Sequence, residues 1–158
     1  MTGAERRAQI TAEIVARTGI DEAMIERLVH GFYEAVRADA MLGPIFDERI
    51  GDWDPHLERM CAFWSSVALM SGRYHGQPME RHRSLPVDFR HFDRWLALFE
   101  RAAREFCPPA AADHFVERAV TIARSLELGV ASANGVLPAS GERYHDATCD
   151  VSLAGGAA

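Results

Sequence analysis

The residues of this chain best suited to chemistry are its seven histidines, His30, His56, His75, His82, His91, His114 and His145. None is spaced as a zinc protease requires: His56 and Met60 hold the i and i+4 positions where that pattern needs two histidines. Nucleophile–base chemistry finds no support, because Ser65 and Ser66 lie in mid-helix without an elbow motif, and no glycine-rich phosphate loop exists. What remains is a set of single polar groups on apolar faces. His56 is followed by Met60, Phe63 and Val67 at spacings of four, seven and eleven, so all four share one helix face. Tyr33 has Val29 and Val36 on its face, and a buried ring there leaves a hydroxyl in need of a partner. Trp95 brings an indole N–H to the side of a helix that also carries Phe92, Phe99 and Phe106. Taken singly, these are a boundary histidine, a core tyrosine and a core tryptophan. If the three faces converge, they enclose an apolar cavity with a few donors, the usual composition of a small-ligand site.

The other histidines divide by context. His30, His91 and His114 stand among charged helix neighbours and read as surface residues, and His145 lies in the tail. His75 and His82 both belong to "RYHGQPMERH" (73–82), and the residues alone do not separate them.

The elements that must position these groups read as helix after helix, with no period-two stretch. Residues 4–17 form a short amphipathic helix ended by Gly19. Asp21 caps the next helix, where Ile25, Leu28, Val29, Phe32 and Val36 recur on one face. Gly43-Pro44 breaks it, and "LGPIF" supports only a short turn. A third helix starts at "DWDPH" with Asp54 as cap and Pro55 at its first position, and runs to about Met70. Residues 71–88 read as loop around one brief turn, Met79–Arg83, longer than most connections in a bundle, and such loops are often functional. Long helices follow over about 88–106 and 111–130, separated by "CPP". From Asn134 the scattered Gly, Pro, Ser and Ala predict a flexible tail. The expected organisation is an N-terminal extension (1–19), a helical domain (20–132) and a tail (133–158).

Composition narrows the function classes. At 158 residues, 48% apolar and 25% charged, the chain can bury one core around a cofactor. A net charge of −6, with arginines interleaved among acids, argues against a nucleic-acid footprint. No segment has the roughly 18–20 apolar residues of a bilayer span, and the N-terminus lacks the apolar core of a signal peptide, so the cytoplasm is the expected location. Cys61, Cys107 and Cys149 are odd in number and too far apart for a CxxC site, which excludes a zinc module and a disulfide framework.

Four segments in order, "FYEAVRADAMLGPIF" (32–46), "HLERMCAFW" (56–64), "YHGQPMERH" (74–82) and the tryptophan at 95, resemble the third group of truncated haemoglobins, bacterial globins with a two-over-two helical sandwich. The resemblance covers roughly residues 20–130. It implies an all-α, truncated globin-like fold, here with an extra N-terminal helix, and haem b (iron protoporphyrin IX) as cofactor. His82 matches the proximal iron ligand, whereas His75 falls where the family needs no histidine. Tyr33, His56 and Trp95 match the distal residues that face a bound ligand. Phe46 matches the phenylalanine packed on the porphyrin, and Met60 shares the His56 face as a further haem contact. Arg73, Tyr74 and Arg83 are propionate candidates by location. The implied ligands are O2, NO, CO and cyanide. NO dioxygenation or peroxidase-like chemistry with an unidentified reductase is the enzymatic alternative, and a haem-based sensor the non-enzymatic one. Hydrogen bonds to a charged acceptor contribute about 1.5–3 kcal/mol each, so two donors beside a partly negative O2 should slow its release.

Overall fold

The computed structural model describes residues 1–155, and every regular element among them is helical. They are α1 (Gly3–Thr18), α2 (Glu22–Ala38), α3 (Gly43–Arg49), α4 (Trp53–Leu69), α5 (Pro78–His82), α6 (Phe89–Phe106), α7 (Pro109–Ala133) and α8 (Ala147–Gly155). Local signals set most boundaries. Thr2 and Glu5 form a capping box at the start of α1, and Gly19 ends it at φ 70°, where a side chain would be strained. Asp21 caps α2, its carboxylate accepting from the Met24 N–H at 2.8 Å. Asp88 caps α6, whose apolar face is the sharpest in the chain.

α2 and α4 make one layer and α6 and α7 the other, a two-over-two sandwich with α1 packed on α4 and α7. Its centre is aromatic. Phe32, Trp64, Phe99 and Phe115 are fully buried; Phe99 stacks between Trp64 (4.7 Å) and Trp95 (5.4 Å), and Phe32 meets Trp95 edge-on. Each such side chain contributes roughly 1.5–3 kcal/mol of burial. Gly31 lets α2 approach α6, because the Phe106 ring occupies the place of a β-carbon there.

Four expectations are corrected. The cap of α4 is Asp52, not Asp54, whose own N–H donates to the Asp52 carboxylate at 3.3 Å; this puts Pro55 in the third position. Proline is tolerated there because first-turn N–H groups lack helix partners anyway. Second, α7 is longer at both ends, since Pro109 fits its first turn and nothing breaks it before Asn134. Third, His91 and His114 are buried, not exposed. His91 accepts the Asp88 N–H in the α6 capping box, and the His114 ring meets the Ala68 carbonyl at 3.3 Å.

Fourth, the segment read as a flexible tail is packed. Tyr144 is 3% exposed, in a second apolar cluster with Val87, Phe92, Ala123, Val130 and Ala131. Its carbonyl accepts from the Phe89 N–H at 2.8 Å, and Arg143 pairs with Glu127 (2.6 Å) and Asp93 (2.8 Å). The strap follows no helical or strand period because backbone contacts and one buried ring hold it, not a repeating face.

Candidate functional site

A cavity of about 1030 Å³ opens between the two layers, at the upper end of the ~300–1,000 Å³ typical of small-molecule sites. Tyr33 from α2, Phe46 from α3, His56 and Met60 from α4, Arg73 and Tyr74 from the following loop, His82 from α5 and Trp95 from α6 all border it. The residues singled out in the sequence are therefore brought together, apart from Arg83, which lies off the wall and pairs with Glu80 at 3.2 Å. His75 sits exposed at the mouth.

One wall is built by α2 and α4. The buried Tyr33 ring is fixed edge-on against Phe32 (4.9 Å), Phe46 (6.0 Å) and His56 (5.2 Å). Burial, with the Cys61 thiol nearby, raises its pKa, so the phenol keeps its proton and remains a donor. Trp53, under the Arg37 guanidinium, closes on the other edge of His56 at 5.5 Å. Burial pushes His56 down to about 4, with Arg59 and His82 adding to the effect, so the imidazole is neutral near pH 7. Its Nε2 is buried and has no hydrogen-bond partner among the described residues. A buried polar atom is seldom left so, and one on a cavity wall points to a missing occupant.

α5 supplies the second histidine. Pro78 starts this five-residue turn at its first position, where a lost N–H costs nothing. The Met79 thioether lies in the space a β-carbon at Gly129 would fill, which seats α5 on α7. The His82 Nδ1–H donates to the Pro78 carbonyl at 2.5 Å. That bond fixes the tautomer and leaves the Nε2 lone pair free, as a metal-binding imidazole requires. Burial also lowers its pKa, against the opposing pull of that carbonyl.

The rim is cationic. Arg59 and Arg81 border the cavity without an ion pair among the described residues, Arg49 donates to the Ser84 hydroxyl (3.3 Å) and carbonyl (3.2 Å), and Arg73 pairs with Glu22 at 2.5 Å. Sequence reasoning missed Arg49, Arg59 and Arg81 because they alternate with acids along the chain. It also missed Leu85, Val87, His91 and Phe92, which close the far end where the loop enters α6. The one local signal was the D-x-x-H pattern of Asp88 and His91, a capping box with histidine in place of glutamate.

This lining fits an iron porphyrin: an apolar slot between helices, one imidazole with a free lone pair, an orphaned ring nitrogen on another wall, and arginines at the rim for acidic groups. The comparisons with known proteins agree. The model of the family described as "Bacterial-like globin" matches residues 16–125. The chain is 40% identical over 88 residues to the group 3 truncated hemoglobin ctb of Campylobacter jejuni, spanning 52% of this chain and 69% of that protein. The crystal structure of the group III truncated hemoglobin from Campylobacter jejuni superposes with a TM-score of 0.65 at 34% identity, covering 68% of this chain and 89% of that one.

Proposed function

Given that the chain belongs to the bacterial-like globins, and among them to the group 3 truncated haemoglobins, we propose that this haem globin carries haem b in the α2–α7 cavity and binds O2 and other small diatomic ligands there. When bound, the haem iron supplies the position at which such a ligand coordinates. His82 holds the iron through Nε2, Phe46 and Met60 pack on the macrocycle, and Arg73 and Tyr74 face its acidic edge, joined by Arg59 and Arg81. Tyr33 and Trp95 are the donors of the ligand face, with His56 beside them. NO, CO and cyanide belong to the same ligand class. We assign residues 20–132 to the globin module and 1–19 to an extension, with the cytoplasm as the location. Among the described residues no helix is long and apolar enough to cross a membrane.

The observation that carries this reading is the His82–Pro78 bond, which presents a lone pair on the wall of the cavity. Its test is a pair of substitutions. His82→Ala should lose stable haem and its Soret band, while His75→Ala should keep both; full haem retention by His82→Ala sinks the assignment.

A second reading rests on His56. A neutral ring with an unpaired nitrogen can accept a proton, which suits NO dioxygenation or peroxidase-like turnover fed by a separate reductase. Stopped-flow mixing of the oxygenated protein with NO decides it: reaction no faster than that of free haem removes the enzyme reading.

A further inference from the structure

His82 stands on a weakly supported helix. α5 is five residues long and none of them is fully buried, so its own packing gives the imidazole little hold. The flanks must supply it. Upstream, Met79 seats the turn on α7 at Gly129. Downstream, a tight connection runs from His82 to α6: the Leu85 N–H donates to the His82 carbonyl at 3.1 Å, and the Val87 N–H to the Leu85 carbonyl at 3.0 Å. A shift at residues 86–89 is therefore passed back to His82.

Those residues are gripped by the C-terminal strap. The Cys149 thiol donates to the Pro86 carbonyl at 3.6 Å, the Asp146 N–H to the buried Asp88 carboxylate at 3.1 Å, and the Phe89 N–H to the Tyr144 carbonyl at 2.8 Å. The strap is in turn fastened to α7, where the Glu127 carboxylate accepts from the Tyr144 N–H (3.1 Å) and from Arg143 (2.6 Å). The Tyr144 ring is buried with Val87, Phe92 and Ala123, which border the cavity, although Tyr144 itself does not. The strap thus ties the downstream flank of His82 to the same helix that holds the upstream one. It lies wholly beyond residues 16–125, the part of the chain that matches the globin family.

We propose that residues 143–149 are a positioning element for the cofactor, with Tyr144 as its anchor. The strap keeps the connection after His82 pressed on α7, holds the imidazole in register with the cavity, and so slows haem loss. This rests on the haem reading above, and it gives a segment outside the family match a part in retaining the cofactor.

The experiment uses the full-length protein loaded with haem. Haem loss into an excess of a scavenging apoglobin is measured beside the iron–histidine stretching band of the ferrous, ligand-free form in resonance Raman spectra. The proteins are wild type, Tyr144→Ala, Tyr144→Leu, Tyr144→Phe and Ile14→Ala. Ile14 is buried on α1 and does not border the cavity, so its truncation weakens the fold without touching the strap. Deleting a buried ring leaves space that the surroundings refill only in part. Tyr144→Ala should therefore lose haem roughly tenfold or more faster than wild type and Tyr144→Leu roughly threefold faster, with the iron–histidine band shifted or broadened in both. Tyr144→Phe keeps the ring, and it and Ile14→Ala should both stay within about twofold of wild type with an unmoved band. Where Tyr144→Ala yields no folded protein, Tyr144→Leu decides. Unaccelerated haem loss from the truncated variants, an equal acceleration in Tyr144→Phe or Ile14→Ala, or an unmoved iron–histidine band in the truncated variants overturns the proposal. Failure of the wild type to take up haem refutes the underlying haem reading instead, so the two failures are distinguishable.

Discussion

Removing one oxygen atom tests the ligand face most directly. Tyr33 is 5% exposed and wedged between Phe32, Phe46, Trp53 and His56, with ring centroids 4.9–6.0 Å away. In Tyr33→Phe every one of those ring contacts survives, so any change in ligand release reports the O–H alone. Burial raises the Tyr33 pKa, which keeps the donor protonated across the working range of pH. A hydrogen bond to a charged acceptor contributes about 1.5–3 kcal/mol, and each 1.36 kcal/mol is tenfold in rate, so O2 dissociation should speed up roughly 10–150-fold. CO carries little charge on its outer atom, and its dissociation should change by less than about threefold, well under 1 kcal/mol. The assay is ligand replacement in a stopped-flow spectrometer, O2 displaced by CO and CO displaced by NO. An O2 rate within twofold of wild type, or a CO rate that rises as much as the O2 rate, would refute a donor role for Tyr33. The apoprotein should unfold at nearly the wild-type temperature, since only the hydroxyl is removed.

Other perturbations have equally definite signs. His56 is pushed down to about 4 while an unfolded histidine titrates near 6.5, so below that pH the unfolded chain binds a proton that the fold refuses. The His56 contribution to apoprotein stability should therefore be fully present above about pH 6.5, shrink as pH drops and be exhausted near pH 4, by at most about 3 kcal/mol before solvent screening, while Asp39 and Asp88, whose pKa values are held low, carry the loss further into acid. His56→Phe should flatten this slope in thermal melts, and an unchanged slope counts against the buried neutral ring. Arg143→Met leaves the Glu127 carboxylate, whose side chain is 6% exposed, with only the Arg124 guanidinium at 3.8 Å and the Tyr144 N–H at 3.1 Å, and should cost about 3 kcal/mol in urea unfolding. A loss under 0.5 kcal/mol, the scale of an exposed pair, would place the strap off the protein surface. Gly31→Ala puts a β-carbon into the Phe106 ring and should cost about 1–3 kcal/mol by the same measurement, where a gain in stability would contradict the close approach of α2 to α6.

Helices α1, α2, α4, α6 and α7 and the main site were legible in the sequence because each rests on a repeating or local signal, whereas α3 was read as a short turn and α8 as tail. Asp21 and its following apolar face define α2, and Tyr33, His56 and Trp95 each lie on such a face. What escaped rests on contacts far apart in sequence. Tyr144 has no apolar partner at helical spacing, yet it is buried by Val87 and Val130, dozens or more than a dozen residues upstream. His114 looks solvated among Asp113, Glu117 and Arg118, but a single ring atom reaches Ala68 across the bundle. Arg49, Arg59 and Arg81 were invisible for a related reason: along the chain they alternate with acids, and only the fold decides which arginines border the cavity.

His82 and His91, two of the histidines that border the cavity, show how far local chemistry can be pushed. His82 ends a helical turn and His91 begins a helix. Behind a C-terminal residue stand carbonyl groups, and even a carbonyl already used in the helix keeps a second lone pair; Pro78 gives one to Nδ1–H. Ahead of a helix stand N–H groups with no partner, and the Asp88 N–H is given to Nδ1 of His91. The first arrangement leaves a lone pair on the outer nitrogen and the second leaves a proton there. The polarity of the helix end thus decides which imidazole can bind a metal and which can only donate. Neither residue needs a different neighbourhood of charges for this, only a different place in its helix. On that ground, exchanging the roles by chemistry alone should fail: His82→Ala should not be rescued by His91, although both border the same cavity. Imidazole added to His82→Ala can supply the missing lone pair, and recovery of the Soret band with imidazole but not without it would show that His91 stays locked as a donor.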